Sequence, residues 1–141
     1  MQFYSTNRKT SPVSLREAVV RGLAADRGLF MPEVIRRFPP AFYQNMKEMT
    51  LREISFVVAE AFFGEDVEAG KLKEIVDETL NFDIPLVQVA DNRYSLELFH
   101  GPTLAFKDVG ARFMARLLAY FNKQEGERQG NVLVATSGLS L

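Results

Sequence analysis

The residues best equipped for chemistry lie between Leu96 and Asp108, in LELFHGPTLAFKD. A strand, a Gly-Pro loop and a helix start, in that order, put Lys107 at a strand-to-helix junction. A lysine held against apolar neighbours beside a positive helix N-terminus has its charged form disfavoured by both. The neutral amine that results is the nucleophile that forms a Schiff base with an aldehyde. The same residues fit an ordinary surface lysine, its stem on Phe106 and its ammonium paired with an acid, which is the commoner case at helix starts. Asp108 in the first turn is accounted for by the helix dipole. His100 has the chemistry of a general base or a ligand, although a lone histidine before Gly-Pro more often bonds a nearby turn. Thr136-Ser137-Gly138 follows the apolar run Val132–Ala135, at the strand edge where α/β sheets bind ligands. Short polar loops such as the one at Ser137 also occur there for plain turn reasons.

These groups need elements to carry them. Ser14-Leu-Arg-Glu17 has the spacing of a capping box and opens a helix with Leu15, Ala18, Val19, Gly22 and Leu23 on one face. Leu29-Phe30-Met31, between Gly28 and Pro32, reads as a short apolar link without long regular structure. Pro39-Pro40 begins a short helix to about Met46. Thr50-Leu-Arg-Glu53 repeats the capping signal ahead of a stripe of Leu51, Ile54, Val57, Val58, Ala61 and Phe62, with Gly64 as C-terminal cap. A further helix spans Val67 to Leu80, with Leu72, Ile75, Val76 and Leu80 inward, and a short strand is expected at Gln2–Tyr4.

After Pro85 the texture changes. Leu86–Ala90 and Tyr94–Phe99 have strand length and Asp91-Asn-Arg93 has turn chemistry, so a hairpin is expected. A helix then runs from Asp108 to about Asn122, with Val109, Phe113, Leu117 and Phe121 on its inner side and Arg112, Arg116 and Lys123 outside. Followed by the strand Val132–Thr136, this is the opening of an α/β sheet, on which the helix is expected to pack. The reading is α/β: a helix-rich N-terminal domain over 1–85, then the start of a second domain over 86–141. A parallel sheet needs crossover helices on both faces and the sequence offers one, so the chain reads as a fragment of something larger.

Composition narrows the function classes. Over 141 residues, seventeen basic and eighteen acidic side chains leave a formal charge of -1, without the basic surplus of a nucleic-acid binder. Zero cysteines exclude a thiolate nucleophile and a cysteine zinc site, and one histidine leaves only a carboxylate-dominated metal site, so none is assigned. The acidic run from Glu65 to Glu78 suits a solvated helix face and lacks calcium-loop spacing. No apolar run reaches the roughly 18 residues of a membrane span, and no signal peptide is visible. A soluble cytoplasmic protein is the expectation.

At the lysine stretch the sequence resembles a known family. Phe99 to Asp108 is similar, without a break, to the F-H-G-P-T-x-A-F-K-D signature of threonine synthases, with Leu104 at x. Tyr4-Ser5-Thr6, Val13-Ser14, Glu17-Ala18-Val19, Gly22-Leu23-Ala24, Asp26 and Gly28-Leu29-Phe30-Met31-Pro32 resemble that family's opening segment in order and spacing. The resemblance implies pyridoxal 5'-phosphate as cofactor and conversion of O-phospho-L-homoserine and water to L-threonine and phosphate. It places Lys107 at the lysine that holds the cofactor and shuttles protons, and Ser137 in the substrate loop. Where the family continues T-S-G with D-T-G or N-T-G, this sequence has Leu139-Ser140-Leu141. The family's phosphate cradle and pyridine-nitrogen partner lie further along, so the resemblance covers an N-terminal third that is expected to be inactive alone. The rival reading is a non-catalytic module that self-associates or binds a partner through an uncovered sheet edge.

Overall fold

The computed structural model describes residues 1–124. The expected strand at Val132–Thr136 and the candidate Ser137 lie outside the described residues.

The described residues form two small antiparallel sheets and five α-helices. Strand β1 (Gln2–Ser5) is central in an antiparallel sheet between β2 (Val13–Ser14) and β3 (Phe30–Pro32), with Phe3 opposite both Val13 and Pro32. The expected short link at Leu29–Met31 leads into the three-residue β3, with Phe30 and Met31 opposite Ser5 and Tyr4. Helix α1 (Leu15–Arg21) lies between β2 and β3 in the chain, and α2 (Pro40–Asn45), a 3-10 turn (Met46–Glu48), α3 (Leu51–Phe63) and α4 (Ala69–Thr79) follow β3. Strands β4 (Leu86–Ala90) and β5 (Arg93–Leu96) form a separate antiparallel hairpin, and α5 (Lys107–Gln124) ends the described chain.

Local chemistry explains the helix starts. Ser14 Oγ accepts the Glu17 amide, but Glu17 then pairs with Arg21 at 2.9 Å. The helix stops at Arg21 because Gly22 takes φ 72, which turns Leu23 out to 55% exposure instead of continuing the stripe. At Thr50 both halves of the capping box form, and Glu53 accepts the Thr50 amide at 2.7 Å. The hydrogen bonds from Thr50 hold the Glu53 carboxyl below its ordinary range.

The core is built from Phe3, Leu15, Val19, Leu72, Ile75, Val76, Leu117 and Phe121, with Leu72 fully enclosed. The inward face expected for α4 is the one observed. Helix α3 behaves differently. Ala59 is its buried residue and Phe56 and Phe63 pack on the core, while Ile54, Val58 and Phe62 line an open groove of about 670 Å³ that reaches Val109, Phe113 and Met114.

Among the described residues, helix α5 packs on α1 and α4; the strand expected at Val132–Thr136, part of the sheet on which it is expected to pack, lies outside them. The inward residues are those expected, Leu117 and Phe121 buried with Val109 and Phe113 against the core. Arg112 and Arg116 are likewise not free on the outside. Arg112 Nη2 donates to the Glu78 carbonyl at 2.7 Å and Arg116 Nε to the Glu78 carboxylate at 2.7 Å, tying α5 to the last turn of α4. A cation near those carbonyls also complements the helix dipole.

The motif residues near the N-terminus are joined by one polar knot. Ser5, fully buried, donates through Oγ to Asp26 Oδ1 at 2.6 Å and accepts the Asn7 amide. Asp26 also accepts the amides of Gly28 (3.0 Å) and Lys9 (2.9 Å), and Thr6 Oγ1 accepts the Leu29 amide. The Ser5 hydroxyl, then these amides, hold the Asp26 carboxyl below its ordinary range. A Cβ on Gly28 would overlap Ser5 Oγ, so the close approach of the two segments requires glycine there.

Candidate active site: the loop ahead of α5

The segment between β5 and α5 is pinned at its start, middle and end. The Glu97 amide donates to the Pro85 carbonyl at 3.0 Å, which fixes the loop to the base of the hairpin. Glu97 Oε2 and His100 Nε2 lie 2.6 Å apart, and the His100 ring stacks beside Phe99 with centroids 4.8 Å apart. The Leu104 amide then closes a turn on the Gly101 carbonyl at 3.0 Å, with Leu104 itself at φ 55. The Asp108 amide donates to the Ala105 carbonyl at 3.1 Å as the helix begins.

Lys107 is the first residue of α5 and its side chain is exposed. Phe106 and Leu104 beside it are 64% and 77% exposed, so among the described residues no apolar enclosure surrounds the amine. Nor does it form an ion pair there. The apolar shelter expected of its neighbours is thus not formed among the described residues, and the amine stands open at the head of α5. His100 bonds its own turn through Glu97, the commoner of its two expected readings. It also borders a polar cleft of about 940 Å³ with Thr50, Glu53, Lys73 and Asp77, a cleft that Lys107 does not line.

Sequence reasoning missed the role of Asp108. Its side chain is 5% exposed, and Oδ2 accepts the Thr103 amide at 2.9 Å. Gly101 packs on the same carboxylate, where a Cβ would overlap Oδ2. The signal was present in the joint occurrence of Gly101 and Asp108, but it is readable only once the turn is known to fold back. No group of three metal-ligating side chains exists among the described residues, and no helix there is long and apolar enough to cross a membrane.

A helix-rich α/β segment presenting a lysine at the head of its last helix has close counterparts. Residues 2–80 match the family model described as threonine synthase N terminus. The chain belongs to the threonine synthase family. It is 38% identical to threonine synthase of Serratia marcescens over 138 residues, which is 98% of this chain and 32% of that protein. The crystal structure of threonine synthase from Escherichia coli superposes with a TM-score of 0.80 at 36% identity, covering 86% of this chain and 28% of that one. The PLP-bound threonine synthase of Brucella melitensis gives 0.85 at 34% identity, covering 91% and 29%. The chain spans about a third of the length of the curated relatives it matches.

Proposed function

We propose that this segment supplies the cofactor lysine of a pyridoxal 5'-phosphate-dependent threonine synthase, a lyase of threonine biosynthesis acting on O-phospho-L-homoserine. The observation that carries the reading is the unbroken run from Phe99 to Asp108, folded as a pinned loop that delivers Lys107 at the first residue of α5. The bound cofactor is the electron sink on which carbanion chemistry next to an amino group depends. Lys107 Nζ holds the cofactor, is released when substrate takes its place, and then accepts and returns protons. The exposed Leu104 and Phe106 are the surface that excludes water once the remainder of the fold covers the loop. Ser137, by the family resemblance of the sequence around it, is proposed to contact the substrate. The domain boundary falls near Pro85, a division supported by the family match ending at residue 80 and by the hairpin beginning at Leu86.

The 141-residue chain alone is inactive in this reading, because the phosphate cradle and ring-nitrogen partner lie in the other two thirds of the family's length. The test is phosphate release from O-phosphohomoserine. The short chain releases none, whereas a chain completed with those two thirds releases phosphate and loses the activity on Lys107→Ala. Unchanged release by that variant would overturn the assignment.

A second reading draws on the hairpin, which is exposed along the whole of β4 and most of β5. Leu86, Val89, Tyr94 and Leu96 each stand more than half exposed, a surface suited to self-association or to a protein partner. A completed chain that binds no cofactor, together with a short chain that self-associates, would favour this reading.

A further inference from the structure

We infer that Asp108 is a positioning residue for Lys107, acting by closing the motif loop onto the start of α5. The inference rests on the reading of Lys107 as the cofactor lysine and adds a role for its neighbour. A first-turn aspartate that only answers a helix dipole stands in solvent. This one is 5% exposed and spends its carboxylate on a backbone amide five residues back, Thr103 N to Oδ2 at 2.9 Å. Gly101, also buried, lies against the same carboxylate, where any side chain would collide with Oδ2, Cβ and Cγ. The Leu104 amide bonded to the Gly101 carbonyl and the Asp108 amide bonded to the Ala105 carbonyl complete a closed course from residue 101 to 108.

Lys107 sits inside that closure, one residue before its anchor. A lysine side chain carries four rotatable bonds and loses much freedom on being fixed, so a site using it gains from a backbone that is already set. The Asp108 bond sets it. Leu104 at φ 55 is a conformation that non-glycine residues adopt at a cost, and the bonds on either side of it hold it there. Acceptance of one amide proton requires an oxygen, not a negative charge. Asparagine therefore retains the function and alanine does not.

Two measurements test this, the first independent of the cofactor. In the unmodified 141-residue chain, the Thr103 amide should exchange with deuterium at least about tenfold more slowly than an open loop amide. Exchange at the unprotected rate would overturn the inference. The second uses the holoenzyme completed with the other two thirds of the family's length, followed by absorbance of bound pyridoxal phosphate during titration. Asp108→Ala should weaken cofactor binding roughly tenfold or more, the scale of one lost bond to a charged group. Asp108→Asn should restore it to within about threefold, since the acceptor is kept. Gly101→Ala, which pushes a methyl group into the carboxylate, should behave like Asp108→Ala and serves where the latter does not fold. Wild-type binding in Asp108→Ala or Gly101→Ala, or loss in Asp108→Asn equal to that in alanine, would overturn the positioning role. Lys107→Ala is the separate control: if it leaves the absorbance unchanged while Thr103 stays protected, the assignment of Lys107 fails and the loop closure stands.

Discussion

Gly28→Ala should be among the most damaging small substitutions in the chain, through a mechanism that a second substitution relieves. A methyl group there overlaps Ser5 Oγ and comes within 2.9 Å of the Asn7 amide nitrogen and 3.1 Å of Asp26 Oδ1. Ser5 is fully buried and cannot swing into water. Overpacking of this kind costs about 1–3 kcal/mol. Displacing Ser5 from the Asp26 carboxylate, now 2.6 Å away, adds up to about 1.5–3 kcal/mol. The stiffer unfolded chain of an alanine variant returns only about 0.4–1 kcal/mol. Partial relaxation of the knot brings the expected net loss to about 3 kcal/mol. In a Ser5→Ala background the worst overlap is gone, and the Asn7 amide and Asp26 Oδ1 still resist. Gly28→Ala should then cost about 1 kcal/mol, a coupling of about 2 kcal/mol. Urea unfolding of the four proteins at one concentration, followed by helical circular dichroism with the slopes held equal, gives the cycle. Gly22→Ala is the contrast: its methyl meets open space, and it pays only for φ 72, about 1–2 kcal/mol, with no response to Ser5→Ala. A cost for Gly28→Ala that is additive with Ser5→Ala to within about 0.5 kcal/mol would refute the close-approach argument.

Leu72→Ala, at the fully enclosed centre of the core, should lose about 2–5 kcal/mol in the same urea assay; a loss comparable to that of a surface substitution would mean the core is elsewhere. Acid stability should follow Asp26, Glu53 and Glu74, whose carboxyls are held low by Ser5, by Thr50 and by Lys71 respectively. Their folded values lie below the ordinary 3.8 for aspartate and 4.5 for glutamate, so their stabilisation is complete above those values and is lost as pH falls through the folded ones. Asp26→Asn should flatten the acid limb of a stability-against-pH curve, and an unchanged limb would contradict the knot. Val89→Lys with Leu96→Lys should reduce any self-association seen by sedimentation, because charge on an open hairpin opposes edge pairing and apolar contact; unchanged sedimentation of an associating chain would place its interface elsewhere.

What could be read in the sequence was local. Ser14 and Thr50 lie within three residues of the amides they cap, and the α4 stripe of Leu72, Ile75, Val76 and Leu80 stands against a charged opposite face. Non-local pairing could not be read in this way. Phe30 and Met31 become a strand because β1 lies opposite, and nothing in three residues announces that partner. Helix α3 is apolar around most of its circumference, so periodicity alone could not choose Phe56, Ala59 and Phe63 over Ile54, Val58 and Phe62 as its core face. The inner side of α5 was legible from its stripe, whereas the stripe does not record that α1 and α4 cover it among the described residues. At the candidate site the lysine motif was legible as a string, whereas the buried Asp108 became visible only through the turn that brings Thr103 back to it.

The central claim is that Lys107 is the residue that holds pyridoxal phosphate, and borohydride trapping followed by peptide mapping tests it most directly. In the chain completed with the remainder of the family's length, one equivalent of cofactor should be fixed to the peptide that contains Lys107, and Lys107→Ala should leave that label absent. Stoichiometric label on a different lysine, with Lys107 unmodified, would contradict the account.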